Sequence, residues 1–340
     1  MVTPEHILRE LADLWVSLGK QGQAESGAGV LRACTLTLVV LAEASDDATA
    51  LGETIAALMP EHPARTIVVR LSGAGEPALA ERVYAQCWMP FGQRRQICCE
   101  QIEITASDAA LADLPSVVLP LAAPDLPVIV WSRSARLFEM PPLSAIARMA
   151  AKVVVDSAGF ADPKRALRLL AEMARSGVVL GDLAWTRLTR WREMLARLFE
   201  NRDYLAKLAR ISSVRVVHDA ESATSAWYMG AWIVDALEDA GASAKVVVGA
   251  GSGARPRAAT ARYRVPAASL SVELAGDGFR VSLARREDRL VIAVDNAENC
   301  TNLPQPSDYL MMREELGIVR RDAVFERALA SAARLAYATD

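Results

Sequence analysis

The cysteines are the side chains in this sequence best suited to metal or redox chemistry. Cys98 and Cys99 are adjacent, and Cys87 precedes them by eleven positions. Successive side chains of a strand point to opposite faces, so Cys98 and Cys99 cannot readily hold one metal ion. The five cysteines form no C-x-x-C pair, which favours buried, reduced thiols in a reducing compartment. A redox role for Cys98 or Cys99 is kept as a hypothesis.

A second candidate is the stretch His62-Pro63-Ala64-Arg65, which precedes a predicted strand. Arg65 could bind a phosphate, because a guanidinium donates two parallel hydrogen bonds to phosphate oxygens. A lone histidine and arginine in a loop also occur as ordinary surface residues. We keep His62 and Arg65 as candidate phosphate contacts.

A glycine-rich stretch, residues 249–254, matches the G-x-G-x-x-A pattern of dinucleotide sites. Such a site needs a helix that begins inside the motif, so that its amide groups meet the pyrophosphate. Here residues 255–260 lead into an extended segment bounded by Pro266, which favours a hairpin connection. No nucleophile elbow, P-loop or H-E-x-x-H motif occurs. We therefore predict no catalytic set, no cofactor and no metal.

The most distinctive stretch combines tryptophans and arginines between residues 181 and 193, with Asp182 as the predicted helix cap. One apolar face is predicted from a spacing of three, three, four and three between Trp185, Leu188, Trp191, Leu195 and Leu198. Arg187, Arg190 and Arg192 would then lie on the exposed side. Arginine is enriched at interface hot spots, so these three are candidate partner contacts.

Helical and strand patterns alternate before this stretch, which predicts an α/β N-terminal domain over residues 1–178. Its sheet should be mixed and partly parallel, with flanking helices. Helices are predicted at 4–18, 46–59, 141–150 and 163–176, strands at 31–41, 66–71, 126–131 and 152–156, a loop at 21–29, and a hairpin from 83–88 and 95–105.

The second half predicts an α+β C-terminal domain over residues 179–340. A long apolar helix at 222–240 follows a first strand, and two helices end the chain between 307 and 337. That first strand is predicted at 211–218, and an antiparallel meander follows the helix, with strands at 245–248, 262–265, 270–275, 278–285 and 289–295.

The composition excludes several classes of function. A formal charge of -3 and a pI near 5.8 argue against a nucleic-acid-binding protein. The most apolar region, residues 114–131, contains four prolines and Asp125, which argues against a membrane span. The first residues lack the pattern of a signal peptide, so a cytoplasmic location is expected.

Several stretches, in order along the chain, resemble the OpcA family, the glucose-6-phosphate dehydrogenase assembly proteins of cyanobacteria and other bacteria. They are RACTLTLVV (32–40), HPAR (62–65), ICCE (97–100), LAAPDLPV (121–128), VDS (155–157), DLAWTRL (182–188), WRE (191–193) and DAVFERAL (322–329). Family members often have two tryptophans where this chain has Trp131-Ser132, and a proline at the position of Arg190.

The resemblance implies a protein without catalytic residues that binds glucose-6-phosphate dehydrogenase and favours its active oligomer. It would thereby control entry to the oxidative pentose phosphate pathway. An alternative is a regulatory protein that senses a nucleotide or a sugar phosphate near His62 and Arg65.

Overall fold

An eight-stranded sheet organises the first part of the computed structural model, which describes residues 2–26, 29–90, 95–251, 270–295, 297–318 and 320–338. Its strands are β1 (Val30–Arg32), β2 (Leu36–Glu43), β3 (Ala64–Gly73), β4 (Leu79–Trp88), β5 (Gln96–Ser107), β6 (Val128–Ser132), β7 (Lys152–Val155) and β8 (Leu180–Asp182). The order is β1-β5-β3-β2-β6-β7-β8, with β4 paired to β5.

Most neighbours in this sheet are parallel, and β4 is antiparallel to β5. The central strand β2 is almost wholly buried, as its continuous apolar sequence requires when helices cover both faces. The predicted hairpin is confirmed as β4 and β5. The single strand predicted at 31–41 is wrong, because the chain forms β1 and β2 there with a break between them.

The helices that accompany this sheet include α1 (Pro4–Ser26), α2 (Ala48–Leu58), α3 (Leu114–Val118) and α4 (Pro141–Arg148). Helix α1 continues well past residue 18, so the loop predicted at 21–29 is wrong over residues 21–26. Side chains at Ile7 and Leu11 are buried at helical spacing, which explains the amphipathic pattern of its first turns.

A six-stranded mixed sheet organises the second part. Its strands are β9 (Ile211–His218), β10 (Lys245–Ala250), β11 (Leu270–Gly276), β12 (Phe279–Arg286), β13 (Arg289–Val294) and β14 (Ala297–Asn302), in the order β10-β9-β11-β12-β13-β14. Strands β11, β12 and β13 pair antiparallel in chain order, which confirms that part of the meander, and β9 and β14 flank them as antiparallel neighbours.

Strand β10 departs from the predicted meander, because it runs parallel to β9. The two are joined by the long helix α9 (Ala223–Asp239), as a parallel pair requires. Gly230 of α9 lies so close to the sheet that an added Cβ would be 3.1 Å from Val248 Cγ2. The strand predicted at 262–265 lies outside the described residues.

The remaining helices are α5 (Pro163–Arg175), α6 (Leu183–Thr186), α7 (Thr189–Leu198), α8 (Arg202–Leu205), α10 (Asp308–Gly317) and α11 (Ala323–Ala338). The tryptophan-rich helix predicted as one element is two, because α6 ends before Arg187 and α7 begins at Thr189. Its apolar stripe is nevertheless buried at Trp185, Leu188 and Trp191.

The chain divides into two units. One comprises Met1–Val155, Val178–Gly181 and Asp308–Val319, and the other Asp156–Gly177, Asp182–Ser307 and Arg320–Asp340. Helix α10 thus belongs with the eight-stranded sheet, and α11 with the six-stranded sheet. The predicted fold class is confirmed, an α/β part followed by an α+β part. The predicted domain limits, 1–178 and 179–340, stay a prediction.

Candidate functional site

The strand order of the first unit defines the place where open α/β sheets usually bind ligands, a crevice at the carboxyl ends of their strands. In the strand order, β3 lies on one side of β2, whereas β6 and β7 follow on the other side. The connections therefore diverge between β2 and β6, and ligands of such sheets bind at the carboxyl ends of the strands at this point. The residues that follow β2 and β6 therefore form the candidate site.

Charged side chains of the chain itself fill this crevice. Glu43, at the end of β2, accepts a hydrogen bond from Ser134 Oγ and lies 3.5 Å from Arg136 Nη1. Arg136 also pairs with Asp108, which follows β5. These contacts connect the ends of three strands, and they use polar groups that a ligand would otherwise meet.

Arg133, which follows β6, forms a second set of ion pairs beside the first. Its Nε lies 3.5 Å from Asp46 Oδ1, and its Nη1 pairs with Asp308 at the start of α10. Burial alone would lower the pKa of Arg133, but the hydrogen bond and charge of Asp308, together with Asp46, raise it above its usual value. The guanidinium is thus committed to carboxylates within the unit.

The N-terminus of α2, which would hold the pyrophosphate in a dinucleotide site, is capped by the chain. Asp47 accepts hydrogen bonds from Thr49 N at 2.8 Å and Ala50 N at 3.2 Å. Asp46 Oδ2 accepts one from Glu43 N at 2.9 Å. A phosphate here would meet carboxylates in place of unpaired amide groups. The geometry therefore opposes nucleotide binding at this crevice.

Arg65 is buried, and the structure does not present it with His62 as an exposed pair. Its Nε is 2.6 Å from Glu100 Oε2, and its Nη1 donates to Leu121 O at 2.8 Å. Only 7% of Arg65 is exposed, whereas His62 is half-buried in the preceding turn. The expectation that Arg65 offers its guanidinium to a phosphate is therefore wrong, because Glu100 already neutralises it.

Glu100 is the centre of this buried cluster. Arg32 Nη2 lies 2.5 Å from its Oε1, and Trp15 Nε1 donates to the same oxygen at 2.6 Å. With Arg65 on Oε2, the carboxylate joins α1, β1, β3 and β5. Such a satisfied buried charge fixes how the elements pack.

The cysteines are arranged differently from the prediction of reduced thiols. Cys87 and Cys98 face each other across β4 and β5 and form a disulfide, with Cα atoms 4.0 Å apart. Cys99 stays a thiol, buried, with its Sγ 3.3 Å from Ala33 O. Burial raises the pKa of Cys99 to about 11. A redox role would therefore have to operate through the disulfide at Cys98.

In the second unit, Asp182 is the centre of a buried hydrogen-bond network. Its Oδ1 accepts from Ala184 N at 2.9 Å and Ser157 N at 3.1 Å, and its Oδ2 accepts from Ser157 Oγ at 2.5 Å and Tyr228 OH at 2.8 Å. Asp182 is the helix cap that the sequence predicts, and its bond to Ala184 N confirms this at α6. The contacts of Asp182 to Ser157 and Tyr228 were not predicted, because these residues are distant in sequence.

Three aromatic rings pack beside this network. Trp185 lies 5.8 Å from Tyr228 and 5.9 Å from Phe325, measured between ring centroids, and Tyr228 lies 5.9 Å from Phe325. Ser157, Asp182 with Trp185, and Phe325 come from three of the stretches that carry the family resemblance. The network therefore explains those stretches as the core of one unit.

The three candidate partner contacts have different environments. Arg187 Nη1 and Nη2 lie 2.6 Å and 2.5 Å from the two carboxylate oxygens of Asp156. Arg192 stacks on the Trp185 ring, with its guanidinium carbon 3.4 Å from the ring centroid. Only the side chain of Arg190 is largely exposed, at 70%. The expectation that all three lie on one exposed side is thus wrong for Arg187 and Arg192.

A metal centre, a membrane span and the glycine-rich motif are the other features to be placed in the described part of the chain. Within the described ranges, no group of three or more His, Cys, Asp or Glu side chains is placed to hold a metal ion. None of the helices in that part of the chain is long and apolar enough to cross a membrane. Gly249 lies in β10 and Gly251 just beyond it, whereas Gly253 and Ala254 of the glycine-rich motif lie outside the described residues.

The protein consists of an α/β unit and an α+β unit. Ion pairs within the chain occupy the carboxyl ends of the strands in its eight-stranded sheet. Residues 55–172 match the family model of the glucose-6-phosphate dehydrogenase subunit N-terminal domain, and residues 178–329 match that of its C-terminal domain. The chain belongs to the OpcA family.

Curated relatives carry the same family name. The chain is 26% identical over 196 residues to the "Putative OxPP cycle protein OpcA" of Synechocystis sp., a match that covers 56% of this chain and 40% of that protein. It is 29% identical over 142 residues to the protein of that name from Nostoc punctiforme, covering 42% and 30%. The chain thus spans less than half the length of these relatives.

Solved structures share the fold only distantly. A dehydrogenase from Chromobacterium violaceum has a TM-score of 0.48 at 12% identity, covering 89% of this chain and 94% of that one. A Gal80p super-repressor mutant from Saccharomyces cerevisiae has a TM-score of 0.46 at 9% identity, covering 89% and 95%. At these scores the likeness carries no argument about function.

Proposed function

We propose that this protein binds glucose-6-phosphate dehydrogenase and favours its active oligomer, without catalysing a reaction itself. The observation that carries the proposal is the match of two family models, both described as parts of a glucose-6-phosphate dehydrogenase subunit, over residues 55–172 and 178–329. The relatives named for the oxidative pentose phosphate cycle support a role in that pathway. We propose the cytoplasm as the location.

The proposed mechanism is a shift of population. A protein that binds the active oligomer more tightly than the inactive form moves the equilibrium by the ratio of the two affinities. A tenfold preference corresponds to about 1.4 kcal/mol. No chemical step on this chain is needed, and the effect should saturate with its concentration.

The filled crevice supports protein binding over ligand sensing. Glu43, Asp46 and Asp108 are engaged by arginines or backbone groups, and Asp47 caps α2. At the other predicted phosphate position, Arg65 is neutralised by Glu100. The nucleotide or sugar-phosphate sensor therefore has no observation in its favour among these residues.

The test uses purified dehydrogenase from the same organism. Its activity and its mass, by size-exclusion chromatography with light scattering, are followed as this chain is added. We expect a saturable rise in activity, together with a larger species that contains both proteins. Heat-denatured chain at the same concentration serves as the control. Unchanged activity and mass at saturating chain would reject the proposal.

A second measurement distinguishes the proposed function from the alternative of a nucleotide or sugar-phosphate sensor. Isothermal titration of the chain alone with glucose 6-phosphate or NADP should give no heat of binding. Saturable heat with either ligand would favour the sensor.

A further inference from the structure

A strongly basic segment, residues 187–215, begins just before α7 and ends within β9. It contains eight arginines and lysines but only three acidic residues, in a chain whose net charge is -3. The rest of the chain carries 30 basic and 38 acidic residues, so positive charge is concentrated in this segment. Because Arg187 and Arg192 are engaged internally, the exposed charge comes from other positions in the segment.

The inner side of this segment is fixed by aromatic packing. Phe199 and Tyr204 lie 6.4 Å and 5.8 Å from the ring of Phe279 on β12, and Lys207 Nζ lies 5.0 Å from the same ring. Trp191 is only 4% exposed. These contacts pack the segment against β12 through Phe199, Tyr204 and Lys207.

Exposed arginines occur along this segment, and we call four of them together the basic face. Its members are Arg190, Arg197, Arg202 and Arg210. Glu193 accepts from Arg190 Nη1 at 2.8 Å and from Arg197 Nη2 at 2.5 Å, which holds two of the guanidinium groups in place. Leu205, 52% exposed, lies between Arg202 and Arg210 in sequence and adds an apolar contact.

We propose that the basic face is the surface through which this protein docks on its partner, and that it contacts a carboxylate-rich patch of that protein. This inference rests on the proposed function, which supplies glucose-6-phosphate dehydrogenase as the partner. Arginines held in place before docking lose less conformational freedom on binding, and each retains donors for a carboxylate. Arginine is also among the residues enriched in protein interfaces and in their hot spots.

Other anionic partners fit this face less well. Single-stranded nucleic acid is usually held by aromatic rings that stack on bases, whereas Phe199 and Tyr204 pack against Phe279. Attachment to an anionic membrane surface uses a broad apolar helix face, and Leu205 is the exposed large apolar side chain of this segment.

The test compares two variants with the same change in charge. One carries Arg197→Glu, Arg202→Glu and Arg210→Glu on the basic face. The matched control carries Arg9→Glu, Arg289→Glu and Arg320→Glu, which are exposed positions outside this segment. Binding to the dehydrogenase is measured by biolayer interferometry at several salt concentrations, and circular dichroism melting checks that each variant is folded.

We expect the basic-face variant to bind at least tenfold more weakly than the unmodified chain and to lose most of its salt dependence, while the control keeps its affinity. If the unmodified chain binds and the basic-face variant binds equally well, the docking surface is wrong and the proposed function stands. If the unmodified chain does not bind, the proposed function fails and the inference fails with it.

The same proteins are titrated with a single-stranded oligonucleotide and with phosphatidylserine vesicles at 150 mM salt, roughly physiological ionic strength. We expect no binding to either. Binding that is lost in the basic-face variant alone would overturn the assignment to a protein partner.

Discussion

Asp156 and Arg187 form a two-point ion pair in which both carboxylate oxygens meet both terminal guanidinium nitrogens, at 2.6 Å and 2.5 Å. Both side chains are about three-quarters buried. Asp156 Oδ1 also caps the turn that contains Ser157, the residue that donates to Asp182. The pair therefore stabilises the start of the network around Asp182, and Arg187 is primarily a structural residue.

Arg187→Ala should destabilise the protein by about 2 kcal/mol, the cost typical of removing a charged hydrogen-bond partner that is partly buried. Urea unfolding followed by tryptophan fluorescence measures the change. Arg190→Ala is the matched control, because its exposed pair with Glu193 should contribute less than about 0.5 kcal/mol. Equal effects of the two substitutions would contradict the structural role of Arg187.

Asp182 should give the protein an unusual dependence of stability on pH. Burial raises the pKa of its carboxyl from 3.8 to about 6, although hydrogen bonds from Ser157 and Ala184 oppose the shift. Between these values the folded state binds more protons than the unfolded state, so the contribution of Asp182 to stability falls as pH rises from about 4 to 6. The loss is on the order of 3 kcal/mol.

This contribution is isolated by comparing the unmodified protein with Asp182→Asn. The difference between their free energies of unfolding, measured in urea from pH 4 to 7, should change across the same window and then level off. Asp277→Asn, which alters an exposed carboxylate in the turn between β11 and β12, is the control. A difference that does not vary with pH would show that Asp182 is ionised throughout.

Sequence spacing predicted the elements that depend on local periodicity. Trp191 and Leu195 of α7 are buried because residues four apart share one face of a helix. Spacing could not predict the exposure of Arg187, since its partner Asp156 lies on another element. The same limit applied to β10, whose own sequence does not show whether it pairs parallel or antiparallel to β9.

The predictions of an exposed Arg65 and of reduced cysteines were wrong for different reasons. The burial of Arg65 depends on Glu100, 35 residues away, and the sequence offers no local sign of that pair. The Cys87–Cys98 disulfide depends on the register of β4 and β5, which places Cys87 directly opposite Cys98. The predicted hairpin did not fix that register, so the pairing could not be read from the spacing of the cysteines alone.

Replacing Cys87 and Cys98 by serine should destabilise the protein by about 3 kcal/mol, because the disulfide closes a loop with a sequence separation of 11 and restricts the unfolded chain. Unfolding in urea with and without dithiothreitol measures this. In the double variant the reductant should have no further effect. A Cys34→Ser variant, in which the disulfide remains, should respond to dithiothreitol as the unmodified protein does.

The same variants test the redox hypothesis for Cys98. Activation of the dehydrogenase is compared under oxidising and reducing conditions, with the dehydrogenase alone under each condition as the control. If the disulfide regulates the protein, the difference should be present in the unmodified chain and absent in the double serine variant. Persistence of the difference in that variant would exclude the disulfide as its source.

Position 181 must be a glycine because a buried ion pair of the first unit lies very close to its backbone. Lys152 Nζ lies 2.7 Å from Glu315 Oε2 and also donates to the carbonyl oxygens of Glu315 and Ile318. A Cβ at Gly181 would lie 2.1 Å from Glu315 Oε2. Since both charged side chains are only 4% exposed, Glu315 has no solvated position to move to without breaking the pair.

Gly181→Ala should therefore destabilise the protein by about 3 kcal/mol, the range expected when a buried ion pair loses its geometry. The measurement is urea unfolding followed by circular dichroism. Gly159→Ala is the matched control, because an added Cβ there has no neighbouring atom within 4 Å. Gly181→Ala with Glu315→Gln should lose less than the sum of the single substitutions, because both act on the same contact. Additive losses would show that Gly181 does not act through Glu315.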